Sequence, residues 1–348
     1  MFAVGKMLAA VFQGNGVLKL EEREIPQIIH PTDVRIKVTA AGICGSDLHI
    51  LHVPPAQYAK PGTPMGHEFF GVVDEVGAEV TQYKPGDTVV VDNIQKCHVC
   101  EYCRNGMDNL CPDAEIYGQT LPGGFAQYAV IPEAQLLPMP SAVKPELAAQ
   151  TEPLACVMNG MKKINPTPDD KVLLYGAGPI GLTFIRVLKL YGVKNLAVCE
   201  MASERKEWAK KCGADLVLDS SQDDVKKVLQ EKWGSLCDIV IDAVGAGSIF
   251  GEAVHLLQAG GRLLIFGQNA NAMSQVPPAV ITRNELTVMG TYCAHHTFPT
   301  AIKLLQDERL GLEQIVSHKL ELKDILTGIE LLKQQKACRV IIYPNGIQ

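Results

Sequence analysis

A glycine-rich turn stands near the middle of the chain, between an apolar run and an amphipathic segment. The turn at 176–181 reads Gly-Ala-Gly-Pro-Ile-Gly, directly follows Val172–Tyr175 and opens the helix-like stretch Ile180–Leu190. In a strand–turn–helix unit the first glycine permits a tight turn, the second lets a pyrophosphate approach the backbone, and the third allows close packing. The turn therefore predicts a dinucleotide site that contains Gly176, Gly178, Pro179, Ile180 and Gly181.

Strand-like and helix-like segments continue to alternate after this turn. Further strands are predicted at Asn195–Cys199, Leu216–Leu218, Asp238–Ala243 and Arg262–Phe266. A helix is predicted at Ser203–Cys212, with Ser203 as its N-cap. Strands that alternate with helices are typical of right-handed crossovers in a parallel sheet. The sequence therefore predicts a doubly wound sheet of the Rossmann type.

A carboxylate follows the second predicted strand of this sheet. Glu200 lies about 20 residues beyond the glycine turn, where an acid accepts hydrogen bonds from the ribose hydroxyls of NAD. A carboxylate there repels a 2′-phosphate, so the sequence predicts NAD rather than NADP. Arg205 and Lys206 follow closely, and these two cations could accommodate a phosphate.

The part of the chain before residue 155 has a different character. Short β-branched runs such as Val34–Val38, Gly71–Val76 and Thr88–Val91 are separated by turns such as Lys84–Asp87. This pattern predicts an all-β body with little helix. Since 348 residues exceed one ordinary core, two domains are expected.

Composition narrows the class of protein. Hydrophobic residues make up 47% of the chain and charged residues 20%, and the net charge of −6 comes without a basic cluster. This balance disfavours nucleic acid and anionic membranes as partners. The sequence contains no apolar run of about 18 residues, so no transmembrane helix is expected. Eleven cysteines without a convincing signal peptide predict a reducing, cytoplasmic location.

Four cysteines fall in one short segment, at Cys97, Cys100, Cys103 and Cys111. Four thiolates at the spacing C-x2-C-x2-C-x7-C suit a closed tetrahedral zinc site. Such a site has no position for water, so its predicted role is structural. An iron–sulfur cluster and an intramolecular disulfide are the alternatives, and the reducing compartment disfavours the disulfide.

Further metal-type residues are spread over the first part of the chain, and each has a structural interpretation when it is taken alone. They are Cys44, Ser46, His49, His67, Glu68 and Glu152. In this order, together with the cysteine segment and the glycine turn, they resemble the zinc-containing medium-chain dehydrogenases. The resemblance spans essentially the whole chain and is greatest to the sorbitol and threonine dehydrogenase branch.

The resemblance implies two zinc ions per subunit. Cys44 and His67 would hold a catalytic zinc, with Glu68 and Glu152 as acidic ligands or as ligands that alternate beside water. The cysteine segment would hold the structural zinc. The alcohol dehydrogenase branch has cysteine where Glu152 stands, so this glutamate indicates the polyol branch. Cys156 lies one helical turn further and could approach the metal, although a buried cysteine is the simpler interpretation.

The resemblance also implies how a secondary alcohol would react. Zinc with three protein ligands and an open position acts as a Lewis acid on the alcohol oxygen, and the hydride leaves for nicotinamide. Ser46 and His49 occupy the positions that pass the proton through the cofactor ribose, although His49 could also be a surface histidine. Arg339 corresponds to an arginine that contacts cofactor phosphate, or else is a strand-edge charge.

The implied architecture is α/β with two domains. A GroES-like, β-rich catalytic domain would comprise residues 1–157 and 293–348, with the zinc lobe at 93–112. A Rossmann NAD-binding domain would comprise residues 158–292. The substrate cleft is expected between the domains. A homodimer or homotetramer is expected, with the strand near Leu286–Gly290 at the interface.

One segment departs from the sorbitol dehydrogenase pattern. Cys293–Ala294 stands where those enzymes carry an Arg-Tyr pair, which disfavours sorbitol itself as substrate. His295 and His296 could bind substrate hydroxyls or a phosphate, or could cap the next helix. The expected substrate is therefore a polyol, a sugar alcohol or its phosphate. Alternatives are a hydroxy amino acid such as L-threonine, an amino-cyclitol, or an idle zinc- and nucleotide-binding structural or sensor protein.

Overall fold

The computed structural model describes residues 5–347, which divide into two compact units. The first unit contains the described residues up to Ala155, His295–Asp307 and the described residues from Val316 onward. The second unit contains Cys156–Ala294 and Glu308–Ile315. The predicted domain limits follow residues 157 and 292. Each lies two residues from a boundary between the units, which follow Ala155 and Ala294.

One short segment belongs to a different unit from the predicted one. The prediction assigns Glu308–Ile315 to the catalytic domain, and the structure groups it with the second unit. The reason is Arg186, whose guanidinium donates to the carbonyl oxygens of Leu310 at 2.7 Å and Arg309 at 2.9 Å. A side chain of the parallel-sheet unit thus holds this segment in place.

The strands and helices are numbered in chain order. The strands are β1 (Lys6–Gly14), β2 (Val17–Glu24), β3 (Asp33–Gly42), β4 (Glu68–Val76), β5 (Thr88–Val91), β6 (Ile94–Gln95), β7 (Glu115–Ile116), β8 (Tyr128–Pro132), β9 (Leu136–Pro138), β10 (Lys171–Tyr175), β11 (Asn195–Cys199), β12 (Leu216–Leu218), β13 (Cys237–Asp242), β14 (Leu257–Ile265), β15 (Thr287–Gly290), β16 (Val316–Glu321) and β17 (Arg339–Tyr343). The α-helices are α1 (Gly45–Ile50), α2 (Glu101–Arg104), α3 (Pro145–Ala148), α4 (Thr151–Ile164), α5 (Pro179–Leu190), α6 (Ser203–Cys212), α7 (Val225–Trp233), α8 (Gly247–Leu256), α9 (Pro278–Arg283), α10 (Phe298–Leu304) and α11 (Ile325–Lys333).

The first unit is built on a mixed seven-stranded sheet. Its strands follow the order β16-β17-β3-β4-β5-β9, and β8 also pairs with β3. Along β3 the side chains of Val34, Ile36 and Val38 are fully buried, while Arg35 and Lys37 point away from the core. This alternation follows from the two-residue period of a strand. The predicted β-rich body is therefore correct, although α1 and α4 add helix that the pattern missed.

The second unit is a six-stranded parallel sheet. Its order is β12-β11-β10-β13-β14-β15, with helices between successive strands. Val172, Leu173 and Leu174 in β10 are all fully buried, as expected for a strand covered on both faces. The strand order reverses between β10 and β13, which is where doubly wound sheets bind their ligands. The predicted Rossmann-type fold is confirmed.

The start of α6 differs from the prediction. Ala202 occupies the N-cap position and Ser203 is the first helical residue, so Ser203 as N-cap is wrong. Glu200 holds the residues before the helix, because its Oε1 accepts the N–H groups of Met201 and Ala202, both at 2.9 Å.

None of the helices within residues 5–347 combines the length and the apolar character that crossing a bilayer requires.

Candidate active site and metal centres

Cys44, His67 and Glu68 meet at one end of the β3–β4 pair. Strand register explains why, because Gly42 at the end of β3 pairs with Glu68 at the start of β4. Cys44 follows β3 directly as the N-cap of α1. One donor atom from each of the three side chains lies within 4.8 Å of the other two, and both His67 and Glu68 are buried. The structure thus brings together three of the predicted catalytic ligands.

Asp47 completes the surroundings of His67, and the sequence interpretation missed it. Its Oδ1 lies 3.5 Å from His67 Nδ1, while its Oδ2 accepts the N–H of Cys44 at 2.9 Å. Burial by itself would lower the pKa of His67, but the Asp47 carboxylate and the Cys44 sulfur raise it well above the ordinary value. The available signal was the C-x-x-D spacing, in which the fourth residue caps the first turn of a helix.

These residues fit a zinc ion. His67 Nδ1 and Asp47 Oδ1 are buried without a hydrogen bond of good geometry, although they face each other. The pKa of the Cys44 thiol is raised, first by burial and then by the Glu68 carboxylate. A half-buried thiol and a buried imidazole among carboxylates form a donor set of sulfur, nitrogen and oxygen that a dication would neutralise. That donor set is typical of zinc, with a carboxylate orienting the histidine from behind.

Arg339 lies beside this group rather than alone at a strand edge. Its Nη2 donates to Glu68 Oε2 and its Nη1 to Glu68 Oε1 at 3.3 Å, and only 2% of the arginine is exposed. Gly42 makes room for the pair, since a Cβ there would lie 2.3 Å from Glu68 Oε2. Burial opposes the charge of Arg339, but Glu68 raises its pKa. The strand-edge alternative is therefore wrong, and the contact with a cofactor phosphate stays a prediction.

Glu152 lies at the start of α4 and does not join the group of three donors. Its Oε1 accepts a hydrogen bond from Asn93 Nδ2 at 3.3 Å, and both side chains are buried. Its charge also acts on Arg339, which places it in the same electrostatic environment as Glu68. Asn93 was not predicted, because an isolated asparagine in a sequence carries no metal-site signal. Cys156 is not among the grouped donors and belongs to the second unit.

Ser46 and His49 lie three residues apart on α1, so their side chains share one face of that helix. Ser46 Oγ is 3.2 Å from His67 Nε2 and therefore borders the group of donors. His49 is exposed. The structure thus places one relay candidate beside the site and the other at the surface, and the relay itself stays a prediction.

The four clustered cysteines form a second donor group. Their sulfur atoms lie within 4.8 Å of one another, and the Sγ–Sγ separations include 3.4 Å for Cys97–Cys111 and 3.9 Å for Cys100–Cys111. A zinc–sulfur distance of about 2.3 Å in a tetrahedron predicts separations of about 3.8 Å. A disulfide needs about 2.05 Å, and all four thiols are free. Backbone N–H groups of Val99 and Cys100 lower the pKa of Cys97 to about 6, which favours a thiolate.

The glycine turn directly follows the carboxyl end of β10, next to the point where the strand order reverses. Gly176 has a φ of +92°, which side chains rarely adopt. A Cβ at Gly181 would lie 2.0 Å from the carbonyl oxygen of Gly176, whereas one at Gly178 would meet nothing within 4 Å. Gly178 is thus the glycine that leaves open space in front of the backbone, as expected for a phosphate contact.

Pro179 and Ile180 form the first turn of α5, directly after Gly178 as its N-cap. Glu200 is held against the turn, because its Oε2 accepts the N–H of Ala177 at 2.9 Å. Arg205 lies in the first turn of α6 and is half-buried. The structure therefore brings Glu200 and the predicted residues of the glycine turn together at one loop, and a contact between Arg205 and a cofactor stays a prediction.

His295 and His296 lie against the cysteine segment. His295 Nε2 is 2.6 Å from the carbonyl oxygen of Gly106 and 3.8 Å from Asp108 Oδ1. Neither histidine caps the next helix, because Thr297 is the N-cap of α10 and makes no side-chain capping bond. The capping alternative is therefore wrong, and a contact with substrate stays a prediction.

Comparison with known proteins covers both units. The family model described as alcohol dehydrogenase GroES-like domain matches residues 30–141, and the one described as zinc-binding dehydrogenase matches residues 179–307. The chain is 37% identical over 332 residues to the starvation-sensing protein RspB of Escherichia coli K12, which covers 93% of this chain and 96% of that protein. It is 30% identical over 348 residues to D-arabinitol dehydrogenase 1 of Uromyces fabae, with 98% of each covered.

A third relative and two solved structures extend the comparison. L-threonine 3-dehydrogenase of Pyrococcus abyssi is 34% identical over 329 residues, which are 93% of this chain and 94% of that protein. A short chain alcohol dehydrogenase (rspB) from Escherichia coli CFT073, complexed with NADH, has a TM-score of 0.91 at 35% identity, with 97% and 100% covered. A structure from Sinorhizobium meliloti 1021 bound to NADP has a TM-score of 0.92 at 27% identity, with 98% and 100% covered.

Proposed function

The chain belongs to the zinc-containing medium-chain dehydrogenase/reductase family of NAD(P)-dependent oxidoreductases, and from this premise we propose its reaction. It oxidises a secondary alcohol of a polyol, a sugar alcohol or a sugar-alcohol phosphate to the ketone, reversibly, with NAD as hydride acceptor. The observation that carries the proposal is the group of half-buried Cys44 with buried His67 and Glu68, whose donor atoms lie within 4.8 Å of one another. An idle structural or sensor protein would not need this group in addition to the cysteine segment.

Two zinc sites per chain form part of the proposal. Cys44 and His67 hold the catalytic ion, with Glu68 and Glu152 as the acidic groups beside it, and Cys97, Cys100, Cys103 and Cys111 hold the structural one. When they are bound, the catalytic zinc lowers the pKa of an alcohol hydroxyl and an oxidised nicotinamide accepts the hydride.

The protein's own residues prepare the site for this reaction. Asp47 faces Nδ1 of His67, so it holds the ring with Nε2 directed towards Cys44 and Ser46. Arg339 fixes the Glu68 carboxylate through two hydrogen bonds. Ser46 Oγ borders the donor group and is placed to receive the substrate proton. His49 on the same helix face is exposed and is placed to release that proton to solvent.

Replacing Asp47 by asparagine tests the orientation of His67. Asparagine keeps an oxygen that can accept the N–H of Cys44, but it removes the charge that raises the pKa of His67. We expect the affinity for the catalytic zinc to fall by about 10- to 100-fold, as for other residues behind a metal ligand. Competition with a chelator of known affinity measures this, and Asp74→Asn on the exposed part of β4 is a matched control. Equal zinc retention in both variants would contradict the role of Asp47.

NAD is proposed over NADP because of Glu200. Its carboxylate is fixed next to the phosphate-binding turn by the N–H of Ala177. We expect Glu200→Ala to lower the preference for NAD over NADP by about tenfold or more, since hydrogen bonds to a charged group contribute about 1.5–3 kcal/mol. Titration with NADH and NADPH measures the ratio. Glu204→Ala, an exposed acid in the first turn of α6, serves as control. An unchanged ratio in Glu200→Ala would exclude the ribose contact.

A substrate panel tests the reaction itself. With NAD as acceptor, we expect turnover of stereoisomeric polyols and their phosphates to exceed turnover of L-threonine. D-arabinitol dehydrogenase 1 and L-threonine 3-dehydrogenase are relatives of comparable identity, at 30% and 34%, so the panel decides between two related chemistries. A faster rate with L-threonine would overturn the polyol assignment. Absence of turnover with every alcohol, in protein that contains two zinc ions, would favour the idle alternative.

Assembly, location and the domain roles complete the proposal. The first unit is the catalytic domain and the second the NAD-binding domain. The strand β15 forms one edge of the parallel sheet, and pairing of this edge with its copy would give the expected dimer or a dimer of dimers. None of the eleven cysteines forms a disulfide, which supports a reducing, cytoplasmic location.

A further inference from the structure

Asp108, His295 and His296 form a third group of metal-type side chains that the proposed reaction does not use. One donor atom from each lies within 4.8 Å of the other two. Asp108 belongs to the short 3-10 helix Asp108–Leu110 of the cysteine segment, whereas the two histidines come from the segment before α10. The chain therefore brings these residues together from positions nearly two hundred residues apart, by folding rather than by sequence proximity.

We propose that Asp108, His295 and His296 form a binding site for a divalent transition-metal ion, distinct from the two zinc sites above. The Oδ1 of Asp108 lies 3.6 Å from Nε2 of His296 and 3.8 Å from Nε2 of His295. Ligands at 2.0–2.2 Å in a tetrahedron are separated by about 3.4 Å. The observed separations therefore need only a few tenths of an ångström of adjustment, which the exposed ring of His296 can supply.

The ring of His295 has a polar partner in the neighbouring loop. Its Nε2 lies 2.6 Å from the carbonyl oxygen of Gly106, in addition to its approach to Asp108. This nitrogen donates its proton to the carbonyl in the metal-free arrangement. A cation on Nε2 would replace this hydrogen bond, and the neutral ring would then carry its proton on Nδ1. The carbonyl lies closer to Nε2 than two ligands of one tetrahedral ion do, so the carboxylate of Asp108 and the imidazole of His296 are the partners of His295 around the proposed ion.

The donor chemistry selects the class of ion. Two imidazoles with one carboxylate suit Zn²⁺, Ni²⁺ or Cu²⁺, whereas Mg²⁺ and Ca²⁺ prefer oxygen ligands alone. The partial exposure of the site leaves room for water at the remaining positions, since 60% of the His296 side chain and 27% of the His295 side chain are accessible. The ion expected from this set is zinc or a neighbour of zinc.

Binding would fasten the cysteine segment to the chain that follows the second unit. Thr297 already fixes that chain, because its Oγ1 donates to the carbonyl of Ala155 at 2.6 Å. A cation on His295, His296 and Asp108 would extend this anchor to the loop that contains Gly106. We therefore expect binding to stabilise the folded protein and to protect the loop amides against hydrogen exchange.

The test uses the full-length protein as isolated, after dialysis to remove loosely bound metal. Its zinc content is measured first, and ZnSO₄ is then titrated by calorimetry, so that ions already bound are not exchanged for another metal. We expect one additional binding event per chain and a rise in Tm of several degrees. Both should be lost in His296→Asn and in Asp108→Asn.

The variants are chosen so that folding does not obscure the result. His296 has a φ of +54°, a conformation that asparagine also tolerates, and its ring is exposed. His255→Asn removes an exposed histidine far from the site in sequence and should keep the additional binding event. Absence of extra zinc in the unaltered protein, or equal extra binding in all three variants, would overturn the proposal. Neither result depends on turnover, so the proposed dehydrogenase reaction is tested separately.

Discussion

Replacing Cys44 by serine is expected to remove the catalytic zinc and to lower turnover by at least about a thousandfold. Serine offers a neutral hydroxyl where zinc requires a thiolate, and the loss of a Lewis acid removes several kcal/mol of transition-state stabilisation. Zinc content should fall from two ions to one per chain, because the cysteine segment around Cys97 is untouched. NADH affinity should stay nearly unchanged, since Gly176 and the rest of the turn belong to the other unit.

Metal analysis, NADH titration and steady-state turnover on one preparation provide the three readouts. Cys156→Ser is the matched control, because Cys156 lies one helical turn beyond Glu152 in sequence and outside the donor group. That variant should keep two zinc ions. Near-normal turnover in Cys44→Ser, or loss of zinc from Cys156→Ser instead, would show that the catalytic ligand had been assigned to the wrong cysteine.

The parallel-sheet unit could be predicted from the sequence because its signals are local. The apolar run of β10, the glycine turn and α5 are contiguous, and both the turn geometry and the burial of the strand follow from residue type. The grouping of the four cysteine sulfur atoms is predictable for the same reason, since the cysteines lie within one short stretch. In both cases the interacting residues are close in sequence, so their spacing along the chain is enough to predict that they lie together.

The catalytic group was less accessible to sequence reasoning because it depends on strand pairing. Cys44 and Glu68 meet because Gly42 and Glu68 are partners in the antiparallel β3–β4 pair, and register is not visible in a composition pattern. Asp47 and Asn93 are polar residues of common type, so nothing marked them until their burial and their partners were known. The resemblance supplied the ligands but not the residues that orient them.

The Arg339–Glu68 pair shows how such a site balances its charges. Four acidic or thiol groups, Cys44, Asp47, Glu68 and Glu152, surround one imidazole and one guanidinium. Burial disfavours every one of these charges unless it has a partner. Arg339 pairs with Glu68, burial and the Glu68 carboxylate raise the pKa of Cys44, and Asp47 raises the pKa of His67. A dication bound between Cys44 and His67 would neutralise this excess of negative charge.

Replacing Gly181 by alanine is expected to destabilise the fold, whereas replacing Gly178 by alanine is expected to weaken cofactor binding at the glycine turn. A Cβ at Gly181 would lie 2.0 Å from the carbonyl oxygen of Gly176, a backbone atom that cannot move without opening the turn. We expect Gly181→Ala to lower the free energy of unfolding by at least about 2 kcal/mol, as overpacking against fixed atoms does. A Cβ at Gly178 meets no protein atom within 4 Å, and its φ of −72° suits any residue.

For Gly178→Ala, the expected change in the free energy of unfolding is therefore within about 1 kcal/mol, the difference between glycine and alanine at an N-cap. Its NADH affinity should nevertheless fall by at least about tenfold, because the methyl group occupies the space through which a pyrophosphate approaches the backbone. Denaturant unfolding and NADH titration measure the two effects on each variant. Unchanged NADH affinity in a well-folded Gly178→Ala protein would mean that the phosphates bind somewhere other than this turn, and the nucleotide site would have to be placed elsewhere on the sheet.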